Sequence, residues 1–117
     1  MGTLYVVGTP IGNMEDVTFR QLETLKSVDF IAAEDTRVTL KLLNRYGIKK
    51  TLVSYHRHSG ENCALSIMER IKNGENAAIV TDAGMPCISD PGEDLVKICA
   101  ENEVDVKVVP GPSAVIS

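Results

Sequence analysis

Four short segments of this 117-residue chain gather the residue types that ligand-binding loops use. They are Gly8-Thr9-Pro10-Ile11-Gly12-Asn13, Glu34-Asp35-Thr36-Arg37, Thr81-Asp82-Ala83-Gly84-Met85-Pro86-Cys87-Ile88-Ser89-Asp90-Pro91-Gly92 and Pro110-Gly111-Pro112-Ser113-Ala114. Each is rich in Gly, Pro, Ser, Thr or acid. Glycine lets a backbone approach a ligand closely, and proline holds a loop in shape before a ligand arrives. Glu34, Asp35 and Asp82 are carboxylates that could take a proton or face a cation. Arg37 could hold a phosphate. Two familiar nucleotide motifs are missing. Gly8 and Gly12 are spaced four apart, which is not G-x-G-x-x-G, and no Gly-Lys-Ser/Thr triplet supplies a P-loop. Any one such loop could be only a well-made turn; four of them need an element arrangement that brings them together.

Metal chemistry finds little support. His56 and His58 flank Arg57, but no Cys, His, Asp or Glu stands beside them at a recognised ligand spacing. A solvated loop suits the two histidines best, with a base or RNA-contacting role second, and no metal site is expected. Asp90 fits a helix cap better than a ligand, because Pro91 follows it and Glu93 stands three residues on. Glu34 and Asp35 are adjacent, so in extended backbone they face opposite ways and only one enters a shared cleft.

The charges are segregated along the chain. The total is −4, which does not advertise a polyanion binder. Yet no acid occurs from Thr36 to Gly60, where Arg37, Lys41, Arg45, Lys49, Lys50 and Arg57 supply half of the 12 cations. From Glu61 to Asp105 there are ten acids and three cations. One reading is a solvated helix face; the other is an edge that meets a polyanion.

The elements that must position these groups follow from periodicity. Five aliphatic runs recur at roughly 25-residue spacing: Leu4–Val7, Phe30–Ala33, Leu52–Tyr55, Ala77–Val80 and Val106–Val109. The first, second, fourth and fifth are nearly continuously apolar, as suits strands covered on both faces of a parallel sheet. Helical stripes lie between them. Thr18-x-x-Gln21 is a capping-box pattern, followed by Phe19, Leu22 and Leu25 at helical spacing. Val38, Leu42, Leu43 and Tyr46 stop at Gly47; Ala64, Ile67, Met68 and Ile71 stop at Gly74; Leu95, Ile98 and Cys99 follow Asp90. The βαβαβαβαβ order predicts a doubly wound α/β layer, mainly parallel and five-stranded, with helices on both faces. In such a sheet ligands bind outside the carboxyl ends of the strands, where all four loops fall.

Composition sets the remaining bounds. Hydrophobic residues make up 44% and charged residues 24%, Trp is absent, and aliphatic side chains must build the core. No apolar run approaches the ~20 residues of a spanning helix. Three cysteines without a CxxC, and no basic-then-apolar leader, predict a reducing, cytoplasmic setting. The apolar stretch Ala114-Val115-Ile116 after the last strand predicts that residues 1–117 form a first domain, with a second domain outside this chain.

Taken with their order and spacing, the four segments, together with Leu4-Tyr5-Val6-Val7 and Val109, resemble the tetrapyrrole (corrin/porphyrin) methylase superfamily, and within it the branch that acts on small-subunit ribosomal RNA. The resemblance covers essentially the whole chain. Met85 stands where the family usually has Thr, and His56-Arg57-His58-Ser59 where it reads closer to His-Glu-His-Asn. The resemblance implies methyl transfer from S-adenosylmethionine to a cytidine ribose 2′-oxygen of small-subunit ribosomal RNA, by a two-domain homodimer with the cofactor between its domains. It implies cofactor contacts from Gly8, Pro10, Gly12, Asp82, Ala83, Gly84, Met85, Ile88, Ser113 and Ala114. Glu34, Asp35 and Asp82 are then the candidate catalytic carboxylates, and Arg37, Lys49, Lys50, His56 and Arg57 the candidate RNA contacts. Two alternatives remain: methylation of a tetrapyrrole ring carbon, and an isolated domain without activity of its own.

Overall fold

The computed structural model describes residues 2–9, 18–33, 36–55, 60–82 and 90–109. Within them strands and helices alternate as β1 (Thr3–Thr9), α1 (Phe19–Ser27), β2 (Phe30–Ala33), α2 (Thr36–Arg45), β3 (Thr51–Ser54), α3 (Gly60–Lys72), β4 (Ala77–Asp82), α4 (Asp90–Glu101) and β5 (Asp105–Val109). The strands form one sheet in the order β3-β2-β4-β1-β5. Every pairing is parallel.

Period-two alternation divides each central strand between two cores. Leu4 and Val6 of β1, Phe30 and Ala32 of β2, and Ala77 and Ile79 of β4 pack under α3 and α4, against Ala64, Ile67, Met68, Ile71, Leu95 and Cys99. Val7, Ile31, Ala33, Ala78 and Val80 face the other way, under Leu25 of α1 and Leu42 and Leu43 of α2. Phe19, expected on the apolar stripe of α1 with Leu22 and Leu25, is instead 77% exposed, because it is the first residue of the helix and lies off the face that Gln21 and Leu25 bury. The doubly wound arrangement expected from the sequence is therefore present, with α1 and α2 on one face and α3 and α4 on the other. The central strand β4 leads to α4, whereas its neighbours β1 and β2 lead to helices on the opposite face. The chain thus departs in opposite directions at the carboxyl ends of β1, β2 and β4, where an α/β sheet opens its crevice.

One strand differs from expectation. The apolar run of β5 was expected to be covered on both faces, but β5 is an edge strand whose residues are mostly exposed, Val108 among them at 38%. Periodicity reports apolarity, not position in the sheet, and an edge strand has a neighbour on one side only.

The helix ends follow local chemistry. Thr18 and Gln21 form the capping box read from the sequence: Gln21 N donates to Thr18 Oγ1 at 3.1 Å and Thr18 N to Gln21 Oε1 at 2.7 Å. Gly47 ends α2 at φ 70°, with Ile48 N donating to Leu43 O at 2.9 Å and Gly47 N to Asn44 O at 3.2 Å. That is the Schellman pattern, which needs a left-handed residue. After α4 the same place is taken by Glu103 at φ 60°, with Val104 N donating to Cys99 O at 2.9 Å. α4 itself begins at Asp90, the residue expected to precede it as cap; a one-residue offset at a helix end is ordinary.

The amino-terminal edge of the sheet is tied by hydrogen bonds across distant parts of the chain. Thr3 N donates to Asn76 Oδ1 at 2.9 Å, Asn76 N to Asp29 Oδ2 at 2.7 Å, and Asp29 N to Asn76 O at 2.8 Å. Gly2 N donates to Ile71 O at 2.8 Å, and a Cβ on Gly2 would lie 1.9 Å from Glu75 O, so the close approach demands glycine. Arg70 pairs with both carboxylate oxygens of Glu75 at 2.9 and 3.1 Å, and its guanidinium lies 3.8 Å from the centre of the buried Phe30 ring.

Candidate functional site

The carboxyl edge has a distinct shape. β2 ends at Ala33, level with Val80, and β5 ends at Val109, level with Val7. β1 and β4 run two residues further as a pair, with Gly8 beside Thr81 and Thr9 beside Asp82. At about 3.3 Å per residue this two-stranded ridge runs roughly 6–7 Å beyond the last described residues of β2 and β5. Gly8 is therefore brought to the same edge as Asp82, in adjacent strands roughly 4.8 Å apart. Had the two lain at opposite ends of the sheet, no shared site could exist.

Gly8 is held from behind. Gln21 is buried at 3% exposure, and its side-chain amide donates through Nε2 to Gly8 O while Oε1 accepts from Thr18 N. One side chain thus fastens the exit of β1 to the entrance of α1 and fixes both anchors of the 10–17 segment. Sequence reading assigned Gln21 to its capping box only. The bond to Gly8 spans 13 positions and has no local signature, so the one available signal is that a polar residue sits among the apolar positions of α1.

The other expected site residues divide as follows. Asp82 closes β4 on the ridge. Arg37 is exposed in the first turn of α2, directly beyond the carboxyl end of β2. Lys49 and Lys50 immediately precede β3, so they stand at the amino-terminal edge, across the length of the sheet from Gly8 and Asp82. Tyr55 is buried and its N–H donates to Ala33 O at 2.9 Å, carrying the β2–β3 ladder to the carboxyl edge just before His56 and Arg57. Pro10, Gly12, Glu34, Asp35, His56, Arg57, Ala83, Gly84, Met85, Ile88, Ser113 and Ala114 lie outside the described residues.

Among the described residues no group of three or more His, Cys, Asp or Glu side chains is arranged to hold a metal ion. Cys99 is fully buried against the sheet, and burial pushes its thiol up to about 11, which makes it an apolar filler and not a nucleophile at neutral pH. No helix among the described residues is long and apolar enough to cross a membrane.

What the edge offers chemically is a place to orient reactants. A glycine ridge admits a ligand against backbone, an acid stands in the neighbouring strand, and α1, α2 and α4 begin at this edge with the positive ends of their dipoles.

The geometry can be set beside known proteins. Residues 3–117 match the family model described as Tetrapyrrole (Corrin/Porphyrin) Methylases. The chain is 53% identical over all 117 residues to a ribosomal RNA small subunit methyltransferase I of Thermotoga maritima, covering 53% of that protein. It is equally 53% identical over 117 residues to the protein of that name from Bacillus subtilis, covering 40% of it. The chain therefore spans about half the length, or less, of these curated relatives. Among solved structures, the uroporphyrin-III-C-methyltransferase from Thermus thermophilus superposes with a TM-score of 0.71 over 94% of this chain and 47% of its own, at 20% sequence identity. That last likeness is one of fold.

Proposed function

The chain belongs to the tetrapyrrole (corrin/porphyrin) methylase family, and from that premise we propose that it is the part of an S-adenosylmethionine-dependent methyltransferase that builds one wall of the active-site cleft. The substrate in this reading is small-subunit ribosomal RNA, and the acceptor is the 2′-hydroxyl of a cytidine. The observation that carries it is the 53% identity, without loss of coverage of this chain, to relatives named as ribosomal RNA small subunit methyltransferases. The tetrapyrrole alternative has only a 20% identical fold neighbour behind it, and fold does not carry substrate.

The residues present fit such a cofactor. Gly8 on the ridge has no side chain to exclude a ligand, and the segment opening with Asp82 follows in the adjacent strand. Gly8, Pro10 and Gly12 from the first loop, Asp82 to Met85 and Ile88 from the fourth, and Ser113 and Ala114 from the last would hold it. When bound, S-adenosylmethionine supplies a methyl group on an electron-poor sulfur, ready for in-line displacement. The chain's own task is then positional. It must hold the acceptor oxygen in line and keep water away, effects together worth roughly 7–11 kcal/mol of barrier when orientation is complete. A ribose hydroxyl is a weak nucleophile at neutral pH, so a carboxylate from Glu34, Asp35 or Asp82 takes its proton as the bond forms. Arg37, at the start of α2, pairs with a phosphate flanking the target nucleotide. The same reading gives the enzyme a second domain as the other wall of the cleft, a homodimeric assembly and a cytoplasmic setting.

The test is methyl transfer from labelled cofactor by the full-length enzyme to small ribosomal subunits, followed by nuclease digestion and chromatography of nucleosides. Label in 2′-O-methylcytidine is expected. Label on a base, or transfer only to a tetrapyrrole offered in parallel, would overturn the reading.

A further inference from the structure

We propose that the outward face of α2 is a docking track for the RNA backbone, leading from the candidate site toward the opposite edge of the sheet. This rests on the ribosomal RNA reading above and says where that substrate lies on the molecule.

Packing sorts α2 into two faces. Thr39, Leu42 and Leu43 are buried against the sheet, with Val38 and Tyr46 half-buried beside them. Arg37, Leu40, Lys41, Asn44 and Arg45 are exposed. Their spacing of i, i+3, i+4, i+7 and i+8 is one continuous helical stripe. Its three charges all have the same sign. Each of the other three helices carries acid in its sequence: Glu23 in α1, Glu69 in α3, Glu101 in α4. Only α2 among the described helices has none.

Arg45 in the last turn suits the helix dipole, but the spacing of the charges does not favour the helix. Arg37 and Lys41, and Lys41 and Arg45, are like charges four residues apart, an arrangement that destabilises a helix. Arg37 also sits in the first turn, where the dipole favours acid over base. A helix selected for solvation alone would mix its signs, as its three neighbours do. Leu40 adds a second peculiarity, since it stands 47% exposed in the midst of the cations. An aliphatic side chain flanked by cations suits a nucleic-acid backbone, with phosphates for the charges and a sugar face for the leucine.

Direction and length agree with such a ligand. α2 begins beyond the carboxyl end of β2, beside the ridge, and returns along the sheet to the amino end of β3. Arg37 to Arg45 covers roughly 12 Å at about 1.5 Å per residue, the reach of roughly three to four phosphates along one strand. Lys49 and Lys50 then continue the positive surface at the far edge, which explains how cations so distant from Gly8 and Asp82 can serve the same substrate. A small tetrapyrrole seated at the carboxyl edge would not need a track of this length on the outside of a helix.

The experiment measures binding of a small-subunit ribosomal RNA transcript by the full-length enzyme over about 50–200 mM salt. Lys41→Gln with Arg45→Gln is compared with Lys26→Gln with Lys97→Gln, which removes two exposed cations from α1 and α4. The α2 variant is expected to bind more weakly and to lose about 1.4–1.8 from the magnitude of its log–log salt slope, two phosphate contacts at ~0.7–0.9 each. The control variant keeps the wild-type slope, both keep wild-type affinity for S-adenosylmethionine, and the α2 variant, relieved of its like-charge pairs, unfolds no earlier than wild type. A wild-type slope in the α2 variant, or an equal loss in the control, overturns the track. The two ideas fail separately. An enzyme that methylates RNA but ignores the α2 substitutions refutes the track alone. One that binds RNA through α2 yet transfers no methyl to it refutes the ribosomal RNA reading. Binding of anionic lipid vesicles that depends on Lys41 and Arg45, with no such dependence for RNA, overturns the track in favour of a membrane surface.

Discussion

Replacing Gln21 by leucine tests the connection between the ridge and α1. The side chain is buried and makes two bonds, donating to Gly8 O and accepting from Thr18 N. The two ends are not equally expensive to lose. Thr18 is exposed, so water replaces the bond to its N–H and the loss there is a few tenths of a kcal/mol. Gly8 is half-buried, and stranding its carbonyl costs about 1–3 kcal/mol. Leucine recovers part of this, about 1 kcal/mol, by burying apolar surface of similar volume. The expected net loss is about 1–2 kcal/mol. With a urea m-value of about 1–2 kcal/mol/M for a chain of this size, the unfolding midpoint falls by roughly 1 M. Gln21→Glu separates the two ends. It keeps the acceptor for Thr18 N but sets a carboxylate oxygen against Gly8 O. Only the protonated form can donate there, so the folded-state pKa of Glu at this position lies above its unfolded value near 4.3. A raised acid pKa means the folded state binds more protons, so the variant regains stability as pH falls and loses it as pH rises through the folded pKa. Urea unfolding of the three proteins at pH 7 and pH 4 is the assay. Coincident midpoints at pH 7 would refute the bridge, and a Gln21→Glu deficit that persists unchanged at pH 4 would refute its assignment to the Gly8 end.

Two further outcomes follow from the helix ends and the core. Glu103→Gly should stabilise the chain by about 1 kcal/mol, seen as a higher urea midpoint, because Glu103 is exposed and holds the left-handed position that glycine adopts without strain; an unchanged or lower midpoint would show the turn is not strained. Cys99 should resist thiol reagents at neutral pH until the chain unfolds, since its thiol is raised to about 11 by burial; with the folded pKa above the unfolded one near 9, its contribution is intact below pH 9 and declines as pH rises toward 11, so a urea midpoint flat across that interval would contradict it.

Much of this architecture is legible in the residues, for reasons that are local. Thr18 and Gln21 cap α1 as their spacing implies, because a capping box is closed within four residues. Gly47 and Gly74 stop α2 and α3 at positive φ for the same reason. The parallel sheet follows from strands alternating with helices, and it alone puts Gly8 and Asp82 at one edge. What the sequence hides is non-local. The order β3-β2-β4-β1-β5 cannot be read from runs of apolar residues, so the exposed edge position of β5 was not foreseen. Nor could the bond from Gln21 to Gly8 be read, since the helical pattern of α1 carries no trace of its partner. The basic residues of α2 were legible as a charge bias, but their gathering on one face, with Leu40 among them, needed the packing of Thr39, Leu42 and Leu43 to define which side is out.

The strand order also dictates when this chain can fold during synthesis. β1 is made well before its partners β4 and β5, and Leu4 does not meet Ala77 until 73 further residues have been added. β2 and β3 can pair with each other much earlier, some 21 residues apart at Phe30 and Thr51. A nascent chain growing at roughly 5–20 residues per second therefore carries Leu4, Val6 and Val7 without a sheet partner for several seconds, and only the emergence of β4 joins the two halves of the sheet. Delayed, long-range parallel pairing of this kind makes for slow folding. It also leaves β1, the strand that ends in the glycine ridge, waiting longest for its sheet partners among the described strands.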